Sequence, residues 1–176
     1  MSVIRYPLFM NDLAQKNLDL TRLDAPIFPD KQSVQPKGEK YVVFCLGAEF
    51  FAVPSEKVSE VVSMLSITPL PNVPEWLLGI ADLRGGIVSI VSLQKLLDTP
   101  DAALSPKSKF IVLKLQDFSA SVALAVDRLS EIIVLANEEI QPVENKKMPL
   151  LFGEAAYKSY ALNLLNVENL LTSLTI

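Results

Sequence analysis

Arg84 is the side chain whose type and position suggest the most specific chemistry. It lies in Leu83-Arg84-Gly85-Gly86, between two apolar runs, where the glycines predict a tight hairpin turn. A guanidinium presents a planar fork of donors that matches a carboxylate, so Arg84 is a candidate for binding an acidic group on a partner. The alternative is an intramolecular salt bridge that closes the hairpin, which contributes little to stability when it is exposed. The residues alone leave both interpretations open.

Glu60 and Glu131 are acidic residues inside apolar, strand-like segments. Alternation with a period of two places each carboxylate on the polar face of its strand, where it is solvated. Acid–base catalysis by paired carboxylates requires the two groups within about 10 Å around one cleft. One such residue in each half of the chain does not suggest that arrangement. We therefore predict no catalytic residue.

Composition excludes several other kinds of site. The chain has no histidine, which excludes Ser-His-Asp catalysis, Cys-His catalysis and histidine-ligated metals. Its single cysteine, Cys45, excludes an intramolecular disulfide and a thiolate zinc cluster. Gly85-Gly86 lacks the spacing of a phosphate-binding loop, and the acidic residues lack the spacing of a calcium loop. We predict no cofactor and no metal ion.

Length and charge restrict the partners. The 176 residues suit one large domain or two small ones. Lys and Arg number 16 against 20 Asp and Glu, and a net charge of −4 disfavours nucleic-acid binding. No run approaches the roughly 20 apolar residues of a membrane span, and the N-terminal residues do not resemble a secretory signal. We expect a cytoplasmic protein without direct membrane insertion.

Two segments stand apart from the strand-like pattern. Residues 1–39 contain four prolines and a polar stretch, and residues 9–20 have some amphipathic character. This extension is either a loosely ordered tail or a docking helix for a partner. The proline-rich segment 69–79 carries Trp76, which is typical both of interface hot spots and of side chains that plug the end of a barrel.

The strand-like pattern from Lys40 onward occurs twice. Short β-branched runs separated by turns predict a small barrel or a sandwich. Ser59-Glu60 aligns with Ser130-Glu131, and Arg84 aligns with Lys158. We infer two copies of one all-β unit of roughly 70 residues, each closing as a barrel to avoid exposed edges. Three blocks match in the same order: 42–46 with 111–115, 51–62 with 123–133, and 79–97 with 153–171.

From Lys40 to about Leu174 the chain resembles the CheW-like domain of bacterial chemotaxis coupling proteins. The segment YVVFCLGAEFFAVPSEKVSEVV (41–62) resembles the opening hairpin of that family and its Val-x-Glu strand. ITPLPNVPEWLLGIADLRGGIVSIVSL (67–93) resembles the central proline-rich loop and Leu-Arg-Gly signature, and VALAVDRLSEII (122–133) resembles the later Val-Asp segment. The combination is specific, although no single motif is.

The resemblance implies an all-β fold of two five-stranded, SH3-like β-barrels in tandem, with short helices and a small core between the barrels. We expect an N-terminal extension over residues 1–39 and a CheW-like domain over 40–174. The expected barrel halves are about 40–105 and 106–174, and an exchange of terminal elements between them stays open.

The resemblance also implies a function. Members of the family have no catalytic activity, and they couple the cytoplasmic tips of methyl-accepting chemoreceptors to the CheA histidine kinase. The regulatory domain of that kinase has the same fold and stacks with the adaptor into rings. The implied partners are a CheA-like kinase, a chemoreceptor and other CheW-like domains, at receptor arrays. The alternative is a free-standing module of a pilus-motility or other receptor–kinase pathway that competes for or sequesters a partner.

By position, Arg84 and Glu60 match the receptor- and kinase-facing surface of the family, with Val58 and Gly79 beside them. Residues 1–39 have no counterpart in a minimal adaptor, and Arg128 stands where a small residue is common. These departures concern the identity of the partner more than the fold. In the central signature, the chain has Asp82, Ser89, Ser92 and Gln94 where the family usually has Asn, Pro, Asp and Arg.

Overall fold

The computed structural model describes residues 37–63, 65–100, 103–114, 121–143 and 150–174. The predicted extension, residues 1–39, therefore lies almost entirely outside the described residues. The described part is mostly β-structure with two short helices, as the sequence predicted. Its elements are β1 (Glu39–Leu46), β2 (Glu49–Pro54), β3 (Val58–Val62), β4 (Leu77–Leu83), β5 (Gly86–Ser92), α1 (Leu93–Leu96), β6 (Lys109–Leu113), β7 (Ser121–Val126), β8 (Arg128–Leu135), β9 (Ile140–Pro142), β10 (Leu151–Tyr157), β11 (Tyr160–Leu165) and α2 (Val167–Ser173).

The strands form two sheets, which agrees with the predicted pair of barrels. One sheet has six strands in the order β8-β1-β2-β11-β10-β9, and the other has five in the order β3-β6-β7-β5-β4. The β1–β2 hairpin, from the first repeat, pairs with β8 and β11 of the second, and the β6–β7 hairpin pairs with β3 and β5 of the first. The two repeats therefore exchange their first hairpins, and no cut near residue 105 separates the sheets.

The internal repeat extends to details of the backbone. β4 has a bulge between Leu77 and Gly79, and β10 has one between Leu151 and Gly153. The Ser92 hydroxyl caps α1, and the Asn166 side chain caps α2 in the same way. Since both copies have the same irregularities at matching positions, the repeat is structural and not merely a similarity of composition.

Buried side chains form three clusters that explain why β1 and β6 are apolar at almost every position. Along β1, Tyr41 and Val43 point into a cluster inside the six-stranded sheet, whereas Val42 and Phe44 point into a core shared by both sheets. The residues of β6 alternate in the same way between the five-stranded sheet and the shared core. A strand buried on both faces reads as a continuous apolar run. Trp76 packs, half-buried, against the shared core.

Candidate functional site

Arg84 and Glu60 form an ion pair at one end of the five-stranded sheet. Arg84 Nη2 lies 2.8 Å from Glu60 Oε2. The Arg84 side chain is 78% exposed, whereas that of Glu60 is 27% exposed. Arg84 and Gly85 form the two-residue turn between β4 and β5, with φ angles of 55° and 84°. A non-glycine residue in the left-handed region is disfavoured, so the turn holds Arg84 in a conformation that glycine or asparagine adopts more readily.

The pair connects the two edges of its sheet. Glu60 lies on β3 and Arg84 directly follows β4, and these are the outer strands of the five-stranded sheet. The arginine therefore does not close its own hairpin, as the simpler sequence interpretation had it. It reaches across to the opposite edge strand. The contact helps to close the sheet into a barrel and leaves most of the guanidinium in solvent.

Val58 and Gly79 occupy different environments from the ion pair. Val58 precedes Glu60 on β3 and is half-buried against the shared core. Gly79 is buried, with a φ of 139°, and a methyl group at its Cα would overlap the carbonyl oxygen of Thr68. Thr68 and Ile80 exchange two backbone hydrogen bonds of 2.7 and 3.0 Å at this crossing. Gly79 therefore sets the path of β4 and offers no side chain to a partner.

A cluster of four residues occupies the equivalent position in the second repeat. Lys158 Nζ lies 2.8 Å from Glu131 Oε1, and the Tyr157 hydroxyl donates to the same oxygen at 2.5 Å. The hydroxyls of Ser130 and Tyr157 are 2.9 Å apart, and the Lys158 ammonium lies 4.8 Å from the Tyr157 ring centre. We call Ser130, Glu131, Tyr157 and Lys158 the Glu131 cluster.

The contacts within the Glu131 cluster change its acid–base properties. The hydrogen bond from Lys158, and then that from Tyr157, lower the pKa of Glu131 below its ordinary value. The carboxylate in turn raises the pKa of Lys158. The sequence aligned Glu60 with Glu131 and Arg84 with Lys158, but it did not predict either pairing or the part played by Tyr157. The signal was present, since each copy carries one acid and one base at matching offsets.

Exposed apolar side chains near these two pairs were also missed by sequence reasoning. Ile87, three residues after Arg84, is 69% exposed, and Ile132, next to Glu131, is 65% exposed. Tyr160 is 58% exposed and packs against Phe50 with ring centres 5.1 Å apart. Alternation along the strands gives the signal for Ile87, because the buried Val88 and Ile90 fix the register of β5.

Cys45, another side chain considered from the sequence, lies in the interior. Cys45 is buried and accepts a hydrogen bond from Arg128 Nε at 3.3 Å. Over the ranges that the structure describes, no group of three or more acidic or cysteine side chains is placed to hold a metal ion. The helices in those ranges are too short or too polar to cross a bilayer.

The chain is similar to several chemotaxis proteins. A family model described as the CheW-like domain matches residues 40–175. Chemotaxis protein CheW of Klebsiella aerogenes is 29% identical over 140 residues, covering 77% of this chain and 83% of that protein. Chemotaxis protein CheW of Helicobacter pylori is 25% identical over 144 residues, covering 80% of this chain and 86% of that protein. The crystal structure of the scaffolding protein TtCheW from Thermoanaerobacter tengcongensis matches with a TM-score of 0.67 at 27% identity, covering 73% of this chain and 89% of that chain.

Proposed function

Because the chain belongs to the CheW-like domain family, we propose that it is a chemotaxis coupling adaptor that joins a chemoreceptor to a CheA-like histidine kinase. Its relatives are named as chemotaxis and scaffolding proteins, which supports the adaptor role. The proposed protein is non-enzymatic, cytoplasmic and located at receptor arrays. It acts by holding its partners in a defined arrangement. Receptor state then shifts the conformational populations of the kinase through differential binding to the adaptor.

The observation that carries the proposal is the state of the Arg84 side chain. Among the described residues, its guanidinium has one ion-pair contact, to Glu60, and the side chain is 78% exposed. Five N–H donors on a planar fork leave several directed toward solvent, where a partner carboxylate can bind without breaking the internal pair.

We assign the partner-binding surface to Arg84, Glu60 and Val58, and name it the Arg84 surface. Glu60 orients the guanidinium, and Val58, half-buried against the shared core, holds the preceding part of β3 in place. Gly79 contributes indirectly, because its close approach to Thr68 fixes the course of β4, which leads to the turn. An exposed arginine suits an interface of moderate size that is held transiently.

The experiment that tests this function is affinity purification of the tagged chain from its native cells, with identification of the captured proteins by mass spectrometry. Arg84→Glu is the test variant, and Lys158→Glu is the matched charge reversal at the equivalent turn of the second repeat. We expect the wild type and Lys158→Glu to capture a CheA-like kinase and a chemoreceptor, and Arg84→Glu to lose at least one of them. A folded wild type that captures neither protein contradicts the proposed function.

The sequestering alternative makes a different quantitative prediction. An adaptor that joins two partners gives the highest kinase output at an intermediate concentration, because excess adaptor occupies each partner separately. A sequestering module lowers the output at every concentration. The names of the relatives do not favour sequestration. Titration of the purified chain into a reconstituted receptor–kinase mixture separates the two functions, and a monotonic decrease would contradict the adaptor.

A further inference from the structure

A half-buried carboxylate with neutral partners lies far along the chain from Glu60 and Glu131. Asp127 occupies the link between β7 and β8. Its Oδ2 accepts the backbone N–H of Gly47 at 2.6 Å, and the Gln94 amide donates to both carboxylate oxygens at 3.3 Å. No ammonium or guanidinium of the described residues lies within 4.0 Å of this carboxylate. Its negative charge is therefore hydrogen-bonded without a direct ion pair among these residues, and the neighbouring Arg128 guanidinium interacts with it only at longer range.

The internal repeat shows what the equivalent position looks like when the charge is paired. Gln94 is the second residue of α1, and Glu168 is the second residue of α2. Glu168 forms an ion pair of 2.5 Å with Lys57, which lies in the link between β2 and β3. Both copies therefore join the start of a helix to the link after an exchanged hairpin. The second repeat uses a cation and an anion there, whereas the first uses an amide and an anion.

An open cavity adjoins the Asp127 carboxylate. It has a volume of about 280 Å³, and Asp127, Gln94 and Ser92 form its polar side. Ile67, Leu78 and Leu104 contribute apolar walls. Gln94 and Ser92 are 5% and 4% exposed, so they form fixed walls, whereas Leu104 is 47% exposed and lies nearer to solvent. This volume lies at the lower end of the range for small-molecule sites, about 300–1,000 Å³, and is sufficient for one long side chain.

We propose that this cavity receives one basic side chain, arginine or lysine, of a partner protein. Asp127 pairs with the charged end, and the methylene stem packs against Leu78 and Leu104. Charge complementarity selects a basic residue, because a neutral or acidic side chain would leave the half-buried carboxylate without a direct ion pair. The inference rests on the proposed function for the identity of the partner, which is the kinase or the receptor.

The chemical specificity is tested on the isolated full-length chain with two probes. The first is N-acetyl-arginine amide, and the second is N-acetyl-citrulline amide, which has nearly the same shape without the charge. The readout is the shift of backbone amide resonances at Gly47 and Asp127 at millimolar probe concentrations. We expect concentration-dependent shifts with the arginine probe only. Equal shifts with both probes, or no shift with either, would overturn the inference.

Three variants locate the effect. Asp127→Asn keeps an acceptor for Gly47 but removes the charge, and should abolish the response to arginine. Gln94→Arg places a guanidinium of the chain itself beside Asp127 and should also abolish it, which keeps the test valid if one of the two variants fails to fold. Glu154→Gln, at an exposed position on β10, is the control and should respond like the wild type. A response that persists in folded Asp127→Asn or Gln94→Arg contradicts the site.

The partner is tested in the captured complexes. Asp127→Asn should weaken capture of the kinase or the receptor about tenfold, the loss of roughly one ion pair. If Arg84→Glu abolishes capture while Asp127→Asn leaves both partners at the wild-type level, the proposed function stands and the partner assignment of this cavity is wrong. If the wild type captures neither partner, the proposed function fails, and the comparison of arginine with citrulline still decides the chemistry of the cavity.

Discussion

The turn that ends β4 and the turn that ends β10 carry equivalent ion pairs with different support. Both pairs join a turn residue, Arg84 or Lys158, to a glutamate on a sheet edge, and both turn residues have a φ of 55°. Around Glu131, the Tyr157 hydroxyl adds a second donor, and the Lys158 ammonium lies near the Tyr157 ring. Around Glu60, Leu83 occupies the position equivalent to Tyr157 and brings no hydrogen-bonding group.

The two ion pairs therefore differ in the number of contacts that they make and in the exposure of their cations. In the Glu131 cluster the polar groups contact one another, and the Lys158 side chain is 62% exposed. Arg84 has one ion pair and a more exposed side chain, 78% against 62% for Lys158. Two copies of one unit have thus kept an ion pair between a turn residue and a glutamate on an edge strand, and the pair in the second copy has additional contacts.

The largest difference between the copies should come from their glycines. In Gly79→Ala, the new methyl group meets the Thr68 carbonyl at a φ of 139°, so we expect a loss of about 3 kcal/mol or more in unfolding free energy. In Gly153→Ala, the methyl group meets the Ile140 Cγ2 atom at 2.8 Å and the Gln141 carbonyl oxygen at 3.0 Å without a positive φ, so a smaller loss of about 1–2 kcal/mol is expected. Urea unfolding followed by circular dichroism measures both. Equal losses would contradict the assignment of Gly79 to the tighter crossing.

Removal of the Tyr157 hydroxyl should have the next largest effect on stability. Tyr157 is 5% exposed, and its hydroxyl bonds Glu131 and lies against Ser130. Tyr157→Phe should therefore lower the unfolding free energy by about 1–2 kcal/mol. Tyr160→Phe is the matched control, because Tyr160 is 58% exposed, and its change should stay within about 0.5 kcal/mol. If both variants had the same stability, the hydroxyl would not support the Glu131 cluster.

Asparagine at the two turns should give a smaller contrast. Arg84→Asn relaxes the left-handed backbone while losing one exposed ion pair, so its unfolding free energy should stay within about 0.5 kcal/mol of the wild type. Lys158→Asn gains the same relaxation but loses the contacts to both Glu131 and the Tyr157 ring, so it should be the less stable variant. Thermal unfolding of the pair ranks them, and the reverse order would contradict the comparison.

The smallest effect is a dependence on pH in the second repeat. The pKa of Glu131 is lowered in the folded state, so its contribution to stability is present above the unfolded pKa, near 4.5, and is lost as the pH falls through the folded value. The stability difference between the wild type and Glu131→Gln should therefore be constant from pH 7 to about pH 5 and shrink in more acidic buffer. Urea unfolding across this pH range measures the stability difference. A difference that grows as the pH falls would contradict the prediction.

Much of the fold was predictable because its signals are local. Turn residues such as Gly85, the apolar run of β1 and the matching offsets of Gly79 and Gly153 predicted the strands and the repeat. The exchange of hairpins was not predictable in this way. It depends on the parallel pairing of β2 with β11 and of β5 with β7, for which no local residue pattern exists.

The candidate site was predictable in part. Arg84 and Glu60 were singled out separately, but their contact joins two sheet edges and became visible only with the strand order. Asp127 and its cavity were not predicted at all, since Gly47, Gln94 and Asp127 come together only through the exchanged hairpins. The burial of Gly79 likewise depends on the crossing at Thr68, which lies outside any regular strand.

The most direct test of the central claim is the affinity of the purified chain for its cognate kinase regulatory domain and for the receptor signalling domain, measured by calorimetry. Wild type, Arg84→Glu and Lys158→Glu are compared after circular dichroism has shown that each is folded. The account predicts that Arg84→Glu weakens binding of at least one partner tenfold or more, about 1.4 kcal/mol, while Lys158→Glu changes neither affinity appreciably. Unchanged binding by Arg84→Glu, or an equal loss in both variants, would contradict the assignment of the Arg84 surface.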